Sequence, residues 1–158
     1  MPPRHLFGEE EKRAVIALFD KSIETGGAVS YNGPEEEAYC RQFAAFLGGG
    51  HADAVNSGTS AVYVALRALD IEPFTEVIVP SVSDMGGVMP VPLMNCIPVP
   101  ADCAPGTYNM GPEQVEKAIT ERTSASVVAH IAGTPAEMGP IMEIARSRGV
   151  KVVEDCAP

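Results

Sequence analysis

Ser57-Gly58-Thr59-Ser60 brings together three hydroxyls and a glycine at the point where an apolar stretch gives way to a helical one. The first N–H groups of a helix have no intrahelical acceptor, and the positive end of its dipole lies among them. A glycine that admits close approach, flanked by hydroxyl donors, turns such a start into a seat for a phosphate. The same residue types also make an ordinary N-cap, and both readings stand at this point. The quartet has neither the lysine of a P-loop nor the three-glycine spacing of a dinucleotide fingerprint, so a Rossmann domain binding NAD or a nucleotide sugar lacks its signature. At the far end of the chain, Asp155 closes the run Val150-Lys151-Val152-Val153-Glu154 and by alternation shares a face with Val153. A carboxylate there can hold a protonated pyridine nitrogen, a metal or a ribose, or it can cap the next element.

These groups depend on the elements that hold them. In open α/β sheets, ligands gather beyond the carboxyl ends of the strands, which draws attention to residues 57–60, 81–87, Asp102, 130–133 and Asp155. Apolar periodicity predicts helices over 9–24 and from Pro34 to the glycines at 48–50. Short apolar runs then alternate with helical ones: strands over 52–56, 76–79, 97–101, 125–131 and 151–155, with helices over 60–69, 112–119 and 140–148. Pro90 and Pro92 interrupt the crossover after the second of these strands, so a helix there is short or kinked. Strand–helix alternation predicts an α/β fold, a mainly parallel sheet with helices on both faces. Residues 1–33 form a helical segment, and 34–158 the sheet domain. The run 125–131 reads as a central strand buried on both sides. The last strand has no closing helix, so the chain reads as the front half of a larger domain with an open sheet edge.

Composition narrows the function. The 158 residues carry 11 Lys plus Arg against 21 Asp plus Glu, a net charge of −10 that repels phosphate backbones and anionic lipid surfaces. Nucleic acid and membrane are therefore not expected partners. No apolar run approaches the roughly 20 residues of a membrane span, and the start of the chain has no signal-peptide core, so the expected compartment is the cytoplasm. Cys40, Cys96, Cys103 and Cys156 lack the C-x-x-C pairing of a metal or redox site and are expected as reduced thiols, mostly in the core.

An anion seat at one end and a carboxylate at the other suit the two ends of pyridoxal 5′-phosphate (PLP). The segments 54–66 (AVNSGTSAVYVAL), 76–81 (EVIVPS), 107–109 (TYN) with 118–123 (AITERT), 128–138 (VAHIAGTPAEM) and 153–157 (VEDCA) resemble, in order and spacing, successive blocks of the DegT/DnrJ/StrS family of sugar aminotransferases. The resemblance runs from about Gly33 to the end. It implies part of the large domain of a fold-type-I PLP enzyme, one that moves an amino group, usually from glutamate, onto a nucleotide-linked keto sugar.

By the same resemblance Gly58, Thr59 and Ser60 match the phosphate-binding turn, and Asp155 the partner of the pyridinium nitrogen. His130 matches a recurrent histidine, with a structural role as the other reading. Asp84 stands beside the cofactor where many members have a stacking aromatic ring, and Pro158 where they have a glutamine. The family's Schiff-base lysine lies beyond Asp155, and Lys12, Lys21, Lys117 and Lys151 do not replace it. The expectation is an amino-terminal portion, inactive by itself; the other reading is a non-catalytic PLP-binding regulator or structural protein. The resemblance also implies a homodimer with the active site between subunits, for which Val88, Met89, Val91, Leu93 and Met94 are contact residues or core.

Overall fold

A computed structural model describes residues 7–29 and 31–157. The chain divides into two compact units at Ala54/Val55, whereas the sequence reading drew its line at Gly33/Pro34. Pro158, expected in place of a glutamine, lies outside the described residues.

The first unit holds helices α1 (Glu9–Thr25) and α2 (Pro34–Phe46). Three glutamates fill the first turn of each helix, where the dipole favours negative charge. The Glu11 carboxylate accepts from Gly8 N at 2.6 Å, and Gly26 ends α1 in the left-handed region with φ 67°. Pro34 opens α2, where its missing N–H costs no helical bond. Neither helix buries a side chain: Val15, Ile16, Phe19 and Ile23, which set the helical period, are all exposed.

The second unit is built on four parallel strands, β1 (Glu76–Pro80), β2 (Ile97–Ala101), β3 (Thr123–Ala129) and β4 (Lys151–Asp155), in the order β2-β1-β3-β4. The two inner strands carry the continuous apolar runs: every residue of β1 is buried, as is every residue of β3 from Ala125 on. The helices are α3 (Gly58–Ala68), α4 (Met85–Val88), α5 (Pro90–Leu93), α6 (Pro112–Ala118) and α7 (Met138–Arg148). One face packs Val77, Val79, Ala125 and Val127 against Val62 and Leu66 of α3 and Val91 of α5. The opposite face packs Ile78 and Val128 against Val115 of α6 and Ile141 of α7. Helices on both faces of a parallel sheet are thus present, as the alternation predicts.

Three details differ from the sequence reading and one makes it definite. Residues 52–56 form no strand; Ala-Asp-Ala-Val-Asn offers little to bury, and its Val55 and Asn56 are exposed. The crossover after β1, expected as a short or kinked helix, is two four-residue helices, the second opened by Pro90. The third strand stops at Ala129, because Ile131–Gly133 turns as a 3-10 helix with Ala132 at φ 54°. Of the four free thiols only Cys96 is buried; Cys40 and Cys103 are half-buried and Cys156 is exposed, because the segments bearing them lie outside the two core clusters. Among the five residues considered for a subunit contact, Val91 and Met94 are core while Met89 and Leu93 are exposed. No helix among the described residues is long and apolar enough to cross a membrane.

Candidate functional site

Helix α3 runs antiparallel to the sheet, and a hydrogen bond fixes its direction: Lys151 Nζ, at the start of β4, donates to the carbonyl of Leu69, the C-cap of α3. The amino end of α3 therefore lies at the carboxyl end of β4, where Asp155 stands. Val153 packs into the α3 side of the core, so by the two-residue period Asp155 faces the same side. An open approach between the two ends follows: a Cβ on Gly58 would meet Ala157 Cβ at 3.8 Å, ordinary van der Waals contact.

Ser57 caps α3, its Oγ accepting from Ser60 N at 3.1 Å. Ser60 Oγ donates to Asn56 Oδ1 at 2.7 Å, and Ala61 N to the Ser57 carbonyl at 3.0 Å. The capping role leaves an anion seat open: the cap uses Ser57 and Ser60, while the first-turn N–H groups of Gly58 and Thr59 have no intrahelical acceptor. Ser60 thereby spends its hydroxyl on Asn56, leaving Thr59 Oγ1 as the side-chain donor of the turn with no partner among the described residues. Beside them lies a cleft of about 290 Å³ lined by Thr59, Ser60, Tyr63 and Leu93.

The loop after β1 folds back between this turn and Asp155. A Cβ on Gly86 would fall 2.9 Å from Thr59 Oγ1 and 2.7 Å from Asp84 Oδ1. A Cβ on Gly87 would fall 2.8 Å from Asp155 Oδ2 and 3.2 Å from Ser83 Oγ. Neighbouring glycines therefore receive Thr59 and Asp84 on one side and Asp155 and Ser83 on the other, and the space depends on the missing side chains. Asp84 is the N-cap of α4, its Oδ1 accepting from Gly86 N at 2.6 Å.

Asp155 is 6% exposed and makes no ion pair among the described residues. Its Oδ1 accepts from Ala157 N at 3.1 Å. A buried carboxylate with one oxygen held by backbone and the other without a protein donor among the described residues is matched to a cationic N–H donor. The hydroxyl of Ser83, buried and without a partner among the described residues, also lies beside Gly87. Together with the cradle at Gly86 and Gly87, these residues fit a flat cationic heterocycle with a phosphate arm.

His130 stands apart from this cluster in its bonding. Its Nδ1 accepts from Ala136 N at 3.1 Å, which places the ring proton on Nε2, 3.1 Å from Glu154 Oε2. Asn109 holds the same loop from the other side, Nδ2 donating to the Thr134 carbonyl at 2.7 Å and Oδ1 accepting from Ile131 N at 2.8 Å. Nδ1 of His130 thus holds the 130–136 turn, and Nε2 ties that turn to Glu154 of β4. Sequence reasoning singled out neither Ser83, Gly87 nor Asn109, although the first two lie in the stretch after β1 and Asn109 in one of the matched blocks.

With that geometry in place, comparison with known proteins decides the relationship: the sequence matches the DegT/DnrJ/EryC1/StrS aminotransferase family over residues 9–158. The chain belongs to this family. A dTDP-3-amino-3,4,6-trideoxy-alpha-D-glucose transaminase of Streptomyces venezuelae is 42% identical over 125 residues, covering 79% of this chain and 33% of the relative. The crystal structure of S. venezuelae DesV in complex with a ketimine intermediate superposes with a TM-score of 0.84 at 38% identity, over 94% of this chain and 40% of that one. NtdA from Bacillus subtilis with bound PMP superposes at 0.84 and 29% identity, over 95% of this chain and 34% of that one. The chain spans about a third of the length of the DegT/DnrJ/EryC1/StrS relatives it matches.

Proposed function

We propose that this chain supplies the cofactor-gripping portion of a PLP-dependent aminotransferase that delivers an amino group, from glutamate, to a nucleotide-linked keto sugar. The observation that carries it is the convergence of Thr59 and Asp155 on the Gly86–Gly87 pair. The nucleotide-sugar substrate is supported by the dTDP-sugar named for the S. venezuelae relative, and the cofactor by the PMP in NtdA.

In this reading the N–H groups of Gly58 and Thr59, with Thr59 Oγ1, bind the phosphate, and Asp155 Oδ2 holds the proton on the ring nitrogen. PLP, when bound, supplies an electron sink through which an amino group is exchanged at a carbonyl carbon. By keeping the ring cationic, Asp155 deepens that sink. Gly86 and Gly87 leave room for the ring, and the buried environment of Asp155 strengthens its charge–charge contact by excluding water. His130 and Asn109 act at one remove, fixing the turn beyond β3.

The four lysines are occupied elsewhere: Lys12 with Glu9, Lys21 with Glu35, Lys117 with Glu113, and Lys151 with the Leu69 carbonyl. Lys151 lies at the end of β4 opposite Asp155. The 158-residue chain therefore holds the cofactor without a covalent bond and does not transaminate by itself. The reading extends to a homodimer in the cytoplasm, with exposed Met89 and Leu93 as apolar surface available for a subunit contact.

The test is an equilibrium titration of the chain with pyridoxamine 5′-phosphate (PMP), whose amine cannot condense with surface lysines. Saturable binding is expected, weakened about 10-fold or more by Asp155→Ala, the loss of one charge-assisted hydrogen bond. Absence of saturation, or an unchanged affinity in the variant, contradicts the proposal.

A further inference from the structure

The two outer strands end the sheet in different ways. In β2, Ile97 N donates to the Thr75 carbonyl at 2.9 Å, and the Ala101 carbonyl accepts from Ser81 N at 3.0 Å, so both residues turn their backbone groups toward the β1 side. By the two-residue period, the backbone groups that point away from the sheet belong to positions 98 and 100. Both are proline, so this edge offers no N–H donor to a further strand.

In β4 the situation is reversed. His130 N donates to the Asp155 carbonyl at 3.0 Å, and β4 runs in register with β3 from Lys151 to Asp155. Lys151, Val153 and Asp155 therefore turn their backbone groups toward β3, and those of Val152 and Glu154 point away from it. These outward N–H and C=O groups have no partner among the described residues, because β4 pairs only with β3. Val152 and Val153 are only half-buried, although each packs against one face of the core. An edge with free donors, free acceptors and half-covered valines is one at which a sheet accepts another strand.

We propose that this edge joins two copies of the chain, β4 pairing antiparallel with β4 of the second copy about a twofold axis at Val153. The register is self-complementary. Val152 stands opposite Glu154 of the second copy, and each such pair exchanges both N–H···O bonds. Val153 meets its own counterpart, and Lys151 lies opposite Asp155 of the second copy, so unlike charges face each other at both ends of the seam. A register centred on Glu154 would instead set two glutamates against each other. The proline-blocked edge of β2 stops further addition, so the contact closes as a dimer. It is separate from the exposed Met89 and Leu93 and does not depend on the cofactor reading.

The test is the molar mass of the chain in solution by light scattering, with Leu93→Glu present throughout to block the apolar surface at Met89 and Leu93. The Leu93→Glu chain is expected to be a dimer. Adding Glu154→Pro removes an outward N–H, leaves the ladder to β3 whole, and should halve the mass. Adding Glu154→Ala loses the same side chain, with its contact to His130, but keeps the N–H and should leave the dimer intact. Amide hydrogen exchange tests the same contact without proline: as the Leu93→Glu chain is concentrated, exchange should slow at Val152 and Glu154 but not at Val153, which β3 already protects. A monomeric Leu93→Glu chain, a Glu154→Pro variant that stays dimeric, a Glu154→Ala variant that dissociates as fully, or exchange at Val152 and Glu154 that ignores concentration overturns the proposal.

Discussion

Asp155 Oδ2 lies 2.8 Å from the position that a Cβ on Gly87 would take, a separation that real Cβ atoms do not tolerate. Asp155 is buried at the end of β4 and Gly87 is buried in α4, so neither can swing into solvent to relieve the clash. Gly87→Ala should destabilise the fold by about 1–3 kcal/mol, the usual cost of forcing extra volume into a packed site, despite alanine's better helix propensity. It should also displace the carboxylate and weaken PMP binding. Urea unfolding and a PMP titration check this; an alanine variant as stable as the parent with intact affinity shows that the two residues do not share that space.

Asp84 places a negative charge beside the anion seat, since its Oδ1 and Thr59 Oγ1 flank the same point at Gly86. The carboxylate is needed as a cap for Gly86 N, but asparagine caps as well as aspartate. Asp84→Asn thus removes charge while keeping geometry. One charge opposing a phosphate in a partly solvated site is worth about 1 kcal/mol. Inorganic phosphate should bind roughly 3- to 10-fold more tightly to Asp84→Asn at low salt, with the gain shrinking as salt is added. Equal or weaker binding removes Asp84 from the electrostatics of the seat.

At the other end of the sheet, Glu76 is 5% exposed and bonded to the Thr120 hydroxyl and the Arg122 guanidinium. The Thr120 hydrogen bond, and then Arg122, hold its carboxyl below its ordinary value of 4.5. Because the folded value is depressed, the stability it contributes is complete above 4.5 and is lost as pH falls from there through the lower folded value. Glu76→Gln should be less stable than the parent at pH 7 and should show a flatter acid limb in urea midpoints measured from pH 7 to pH 3. An unchanged acid limb rules out Glu76 as a source of acid sensitivity.

What could be read from the sequence was what burial writes into it. The inner strands β1 and β3 announce themselves through continuous apolar runs because both of their faces are covered, and Asp155 stands out as a carboxylate at the end of the strand-like stretch 150–154. The stretch 52–56 misled because small and apolar residues alternate there without a neighbouring strand to pair with. Ser57 was legible as a cap or a seat but not as both, since the division of labour between Ser57, Ser60, Gly58 and Thr59 is a matter of which hydroxyl bonds which N–H. Ser83 and Gly87 lay in the stretch 81–87 to which strand ends draw attention, but neither carried a signal of its own. Their meaning arises only when the loop after β1 folds back against β4, a contact between residues some seventy positions apart. His130 was visible as a residue type, but its two bonds, to Ala136 and Glu154, come from the tertiary turn.

The most direct measurement is a crystal structure of the chain grown with PMP. The expected result is one PMP per chain, its phosphate on the N–H groups of Gly58 and Thr59 and its ring nitrogen on Asp155, with the ring lying over Gly86 and Gly87. A phosphate bound elsewhere, or a ring nitrogen that does not meet the Asp155 carboxylate, contradicts the two-ended grip on which the proposed chemistry depends.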